Sequence, residues 1–160
     1  MQASNRAIGC IGKCTIGLRA EELDQITDNI STTLSHPKGR KIFQRYLERQ
    51  NLQSCLECLE LYTICSQFLA EERHQSRSGK SDIVSLTNNV IIVQELAEDI
   101  SGVPQIDKAL MERFNKALEE GTRQALLAVL EDTRDQLQNF LRRVHEAFKN
   151  YASQPCPLTK

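Results

Sequence analysis

The chain has 160 residues, 40% hydrophobic and 26% charged, a size and balance that suit one globular domain and exclude a disordered or membrane-embedded chain. Twenty Lys and Arg stand against 21 Asp and Glu for a net charge of -1, which leaves no global field to hold nucleic acid. No apolar run approaches the roughly 18 residues that cross a bilayer, and the opening MQASNRAIGCIGKCTIGLRAEE lacks the continuous apolar core expected of a secretory signal.

Leu, Glu, Gln, Arg and Ala are common and Trp is absent, which favours helix over sheet. Residues 1–18 hold Gly9, Gly12 and Gly17 without a clear period, so a flexible lead-in is expected. From Arg19 the pattern turns helical. Leu23, Ile26, Ile30 and Leu34 recur at spacings of three and four, predicting one helix with a buried stripe. It should stop near Ser35, because His36 precedes Pro37 and is pushed away from helical geometry. Pro37 suits the first position of a new helix. Its apolar face is Ile42, Phe43, Tyr46 and Leu47; Arg40, Lys41, Arg45, Glu48 and Arg49 lie mostly opposite. Gln50-Asn51 is a polar interruption, and Asn51 is expected to cap the helix that follows. That helix runs through Leu52, Leu56, Leu59, Tyr62 or Thr63, and Phe68 or Leu69, with Cys55, Cys58 and Cys65 filling small gaps in its stripe.

Glu71 to Asp82, EERHQSRSGKSD, is the most polar stretch, and a mobile loop is expected there. Asp82 or Ser81 should cap a helix from Ile83 to Ile100 that carries VIIVQEL. The β-branched run could form a strand, but Leu96 and Ile100 keep helical spacing and no second strand pairs with it, so a buried helix is predicted. Ser101-Gly102-Val103-Pro104 is a break. The next helix starts at or just before Asp107, carries Leu110, Met111, Phe114 and Leu118, and ends at Gly121, with Thr122 as the following cap. Helical spacing then runs over 122–150 through Leu126, Leu127, Leu130, Leu137, Phe140, Leu141, Val144 and Phe148. It lapses at Glu131 to Asp135, predicting a kink or short break. Residues 152–160, with two prolines, should fray as a flexible tail. The sum is an all-α multi-helix bundle over residues 19–151.

No catalytic constellation emerges. Cys55-x-x-Cys58 with Cys10-x-x-x-Cys14 has tolerable spacing for a four-thiolate zinc site. However, Cys55 and Cys58 sit mid-helix, where core thiols are the default, so no metal or cofactor is expected. The thiols imply a reducing, cytoplasmic compartment. Cys10 and Cys14, beside Lys13, are candidate lipidation sites, which would bring peripheral association with the inner face of the plasma membrane; one acyl chain anchors only marginally. His36, His74 and His145 are far apart and read as surface or boundary residues. The basic face of Arg40, Lys41, Arg45 and Arg49, and the pair Arg142-Arg143, read as solvated, as do the carboxylate pairs Glu57/Glu60 and Asp132/Asp135.

Four segments then stand in a familiar order: LSHPKGRKIFQRYL, Asn51-Leu52-Gln53-Ser54-Cys55-Leu56-Glu57-Cys58, Pro104-Gln105-Ile106-Asp107, and Asp135 followed by Phe140-Leu141. With them the chain resembles a regulator-of-G-protein-signalling (RGS) domain from about Leu23 to Tyr151. The first segment is similar to the family's Gly-bearing turn and Phe-x-x-Phe-Leu helix, with Phe43 and Tyr46 as the aromatic pair. The second resembles Asn-Ile-x-Phe-Trp-x-x-Cys, the third Val-Asn-Leu-Asp, and the fourth Asp-x-Tyr-x-Arg-Phe-Leu. The chain departs from the pattern at Ser54-Cys55 (Phe-Trp), Gln50 (an acidic residue), Gln105 (Asn), Asn139 (Arg) and Arg143 (Ser).

The resemblance implies a protein without its own active site. In the family, loops and helix ends press on the switch regions of a GTP-bound Gα subunit and hold the subunit's own catalytic groups in the transition-state arrangement. It carries over Asn51 as the side chain reaching the switches and Asp135 as a second contact, with Gln50, Gln105 and Asn139 lining the same surface. Because the departures fall on contact positions, two functions are expected in competition. One is Gα binding with acceleration of GTP hydrolysis. The other is a non-catalytic scaffold or adaptor that holds a partner protein or peptide, as axin-like members do.

Overall fold

The computed structural model describes residues 19–79 and 82–153. Among them lie α1 (Ala20–Thr27), α2 (Ile30–Ser35), α3 (Pro37–Arg49), α4 (Gln53–Arg77), α5 (Ile83–Asp99), α6 (Lys108–Glu120) and α7 (Arg123–Ser153), with no strand. The expected all-α architecture is what these residues form. The expected lead-in over 1–18, with Cys10 and Cys14, and most of the expected tail lie outside the described residues. Two compact units divide the chain: Met1–Leu56 with Leu141–Lys160, and Glu57–Phe140. The boundaries fall inside α4 and α7.

In the first unit, the single helix expected over 23–34 is two. Thr27 turns its hydroxyl back to the Leu23 carbonyl at 2.8 Å, and Asn29 starts α2 by accepting the Thr32 N–H at 2.9 Å. An N-cap side chain in mid-stripe favours a restart over continuation. His36, in extended geometry, ends α2 and opens α3; its Nδ1 accepts the Lys38 N–H at 3.1 Å. Pro37 therefore stands at the first position of α3, as expected. Arg40 is not simply solvated: its guanidinium donates to the Leu34 carbonyl at 2.7 Å, satisfying an acceptor that the end of α2 leaves open. Gly39 lets α3 come close to the preceding helices, because a Cβ there would run into the Thr33 carbonyl oxygen and lie 2.8 Å from Ile26 Cγ2.

The core of this unit includes Leu23, Ile26, Ile30, Leu34, Ile42, Phe43, Leu47, Leu141 and Phe148. His145, expected at the surface, is buried with them. Its ring lies 5.8 Å from Phe43 and 5.6 Å from Phe148 between centroids, and its Nε2 is 2.8 Å from the Thr33 hydroxyl. The spacing Leu141, His145, Phe148, Ala152 is itself a helical stripe.

In the second unit, α4 runs on to Arg77, through most of the segment expected as a mobile loop. Glu72 accounts for much of this. It is buried, and its carboxylate accepts from Arg123 Nε at 2.7 Å, so a polar stretch has an internal partner. Cys58 and Cys65 are buried thiols, and burial pushes the Cys65 thiol up to about 12. Asp82 caps α5, accepting the Val84 N–H at 3.0 Å. The expected buried helix is buried on one side only: Leu86, Val90, Val93 and Ala97 are inside, while Ile83, Val84, Ile91 and Ile92 are exposed.

Asp107 caps α6 through the Leu110 N–H at 2.9 Å, and Gly121 closes it in the left-handed region at φ 70°. Thr122 then accepts the Ala125 N–H at 3.2 Å to start α7. The break expected at 131–135 is absent, and α7 is one helix of 31 residues. Thr133 fills the lapse in the stripe: it is buried between Leu130 and Leu137, its hydroxyl donating to the Val129 carbonyl at 2.7 Å. The helix also includes Ala152 and Ser153, where the tail was expected to begin, and Ala152 is buried.

Candidate functional site

The Gln50-Asn51 joint is built by the end of α3. Gln50 is the last, near-helical residue at φ -90°, ψ 0°, and Asn51 swings to φ 57°, the only positive φ outside glycine among the described residues. The Leu52 N–H then reaches back to the Leu47 carbonyl at 3.0 Å, and the Asn51 N–H to the Glu48 carbonyl at 3.1 Å. This is the Schellman closure of a helix, with Asn in the position that usually takes glycine. Asn51 therefore ends the helix before it and does not cap the one after; a left-handed residue lacks the extended backbone of an N-cap. Leu47 and Leu52, flanking the turn, are the apolar pair that accompanies such a closure, and their spacing was the signal available in the sequence.

The last turns of α3 are fixed from α7, within the same unit. Tyr46 packs on Phe148 and Tyr151 at 5.5 and 5.0 Å between ring centroids, and Arg49 donates to the Tyr151 hydroxyl at 3.3 Å. Burial, followed by the neighbouring Tyr151 and Cys55, pushes the Tyr46 phenol up, so Tyr46 packs there as the neutral phenol. Gln50 and Asn51 are both exposed at the tip. Ser54 and Cys55, just beyond, are half-buried, and burial raises the Cys55 thiol.

In the second unit, Asp135 and Asn139 stand one turn apart on α7, both exposed. The Asp135 carboxylate is 3.7 Å from Arg134 Nε and its side chain is 65% exposed, a loose surface pair. Gln105 sits on the turn between α5 and α6, where the Ile106 N–H donates to the Val103 carbonyl at 3.0 Å. Its Oε1 is buried without a hydrogen-bond partner among the described residues. Among those residues, no group of three or more His, Cys, Asp and Glu is placed to hold a metal, and no helix is long and apolar enough to cross a membrane.

Comparison with protein families matches the Regulator of G protein signaling domain over residues 29–154. The chain belongs to this family. Comparison with curated proteins and with solved structures gave no match. RGS domains regulate G-protein signalling and are not catalysts in their own right.

Three structural supports of this RGS domain lie beyond local sequence pattern. The Thr33–His145 bond and the Glu72–Arg123 pair join residues 112 and 51 positions apart, beyond the reach of any local pattern. Gly39 was visible as part of the Gly-bearing turn, but the closeness of the Thr33 carbonyl that demands a glycine was not.

Proposed function

We propose that this RGS domain binds the α subunit of a heterotrimeric G protein and accelerates hydrolysis of its bound GTP. The support is the family match together with the build of the Asn51 joint. The closed helix end fixes the backbone that carries the exposed Asn51 amide, so binding has only the side chain left to order. A hydrogen-bonding group carried on a fixed backbone can steady a mobile switch loop without donating any atom to the chemistry. Asp135 supplies a second, exposed anionic contact. Gln50 stands beside Asn51 in the first unit, and Gln105 and Asn139 are further candidate contacts in the second. The chemistry stays with the subunit's own groups, and the RGS domain contributes positioning alone.

Single-turnover GTP hydrolysis by several Gα subunits, with and without the protein, tests this reading. A faster single-turnover rate and binding to the aluminium-fluoride state are the expected results. No acceleration and no binding with any subunit would overturn it.

The replacements at Ser54-Cys55, Gln50, Gln105 and Asn139 favour a second reading, in which the same fold serves as a non-activating adaptor for another protein. In that case Asn51→Gly captures the partner as well as the parent chain does.

A further inference from the structure

The described residues leave four large hydrophobic side chains exposed, and all four lie on α5. Ile83, Val84, Ile91 and Ile92 are 44%, 62%, 36% and 43% exposed. At about 3.6 residues per turn Val84 and Ile91 nearly coincide, with Ile83 on one flank and Ile92 on the other, so the four spread over roughly half the helix circumference, away from the buried Leu86, Val90, Val93 and Ala97. The charges on α5 and its cap are all negative, namely Asp82, Glu95, Glu98 and Asp99, and no Lys or Arg occurs from Ser81 to Asp107. Ile92 is one turn from Leu96, and there the apolar side meets a groove of about 200 Å³ between α4 and α5. The groove has a floor of Leu61, Leu96 and Ile100 and a rim of Glu57, Glu60 and Asp99, with no cation lining it. Among the described residues, none of Glu57, Glu60, Glu95 and Asp99 is held in an ion pair.

We propose that this face docks a cationic amphipathic helix of a partner protein. Its apolar stripe lies against Ile91, Ile92 and the groove floor, and its Lys or Arg side chains meet Glu57, Glu60, Glu95 and Asp99. Charge selects this occupant over the others. A second copy bringing its own α5 would set acid against acid, and an anionic lipid surface would be repelled by the same rim. Aliphatic side chains supply the contact area, and the carboxylates set orientation and exclude wrong partners. The inference goes beyond the G-protein reading and gives the adaptor reading a surface. It shares no residue with the Asn51 contact set. Its assay contains no nucleotide, so failure here and failure of the hydrolysis test are separate results.

The test is a fluorescence-anisotropy titration of the whole chain with a labelled synthetic helix of leucine on one side and lysine on the other. A peptide with glutamate in place of lysine is the control. The lysine peptide should bind and the glutamate peptide should not. Ile92→Ser should weaken binding about tenfold with helicity by circular dichroism unchanged. The double variant Glu60→Lys with Asp99→Lys should lose the lysine peptide and gain the glutamate peptide. The proposal is overturned by no binding of the lysine peptide, or by equal binding to all variants. It is also overturned by a dimer in sedimentation that Ile92→Ser dissolves and the peptide does not displace, since the occupant would then be a second copy.

Discussion

The Thr33 hydroxyl and the His145 ring meet at 2.8 Å from positions 112 residues apart. The same hydroxyl lies 2.8 Å from the Ile26 carbonyl, which can only accept. A hydroxyl has one proton, so it donates to Ile26 and receives the Nε2–H of His145. Thr33→Val keeps the shape and removes these bonds and the longer one to the Asn29 carbonyl at 3.2 Å, leaving the buried His145 N–H and the Ile26 carbonyl without the hydroxyl. The expected cost is about 1–3 kcal/mol, read from urea unfolding; a midpoint unchanged from the parent would contradict the assignment.

The pH dependence of stability has a definite sign at this site. Burial holds His145 below its ordinary 6.5, Glu146 pulls it up and Lys149 pushes it down. The unfolded chain therefore takes up a proton that the folded chain resists. The contribution is whole above the ordinary value and is lost progressively as pH falls through and below it. Unfolding midpoints measured from about pH 8 down to about pH 5 should fall on the acid side, and His145→Asn should flatten that limb.

Gly39→Ala should destabilise. In an unconstrained helix interior the change is favourable by roughly 0.5–1 kcal/mol. Here the new methyl meets the Thr33 carbonyl oxygen, which is backbone and cannot swing away. A loss of about 1–3 kcal/mol is expected, as for other overpacked sites, and a rise in melting temperature would refute the close approach.

Arg123→Ala should loosen the far end of α4. Glu72 is buried and Arg123 is 41% exposed, so solvent screens part of the pair and the expected cost is about 1–2 kcal/mol. Hydrogen exchange should speed up most at the amides of residues 71–77, the stretch that Glu72 anchors.

Much of this RGS domain was legible where a local device decides the outcome. Pro37 opening α3, Asp82 and Asp107 as caps, and Gly121 closing α6 each act within one turn. What was not legible depended on partners distant in sequence. EERHQSRSGKSD looks like a loop until Arg123 reaches Glu72. Thr133 looks like a gap until its hydroxyl turns back to Val129 and lets it be buried. VIIV reads as interior because hydropathy does not say which side of a helix has a neighbour, and α5 leaves Ile91 and Ile92 outside. Of the proposed contact residues, Asn51 was legible as a polar joint, whereas its left-handed backbone was not.

That backbone makes Asn51→Gly the sharpest variant. Alanine at φ 57° would strain the turn as well as remove the amide, by roughly 0.5–1 kcal/mol, while glycine removes the amide and keeps the turn. The deciding measurement is single-turnover GTP hydrolysis by a responsive Gα subunit with the parent chain and with Asn51→Gly, both shown to be folded. Acceleration by the parent and a loss of about tenfold or more with Asn51→Gly is the predicted result. Equal acceleration by both proteins, or none by the parent with any α subunit, would contradict it.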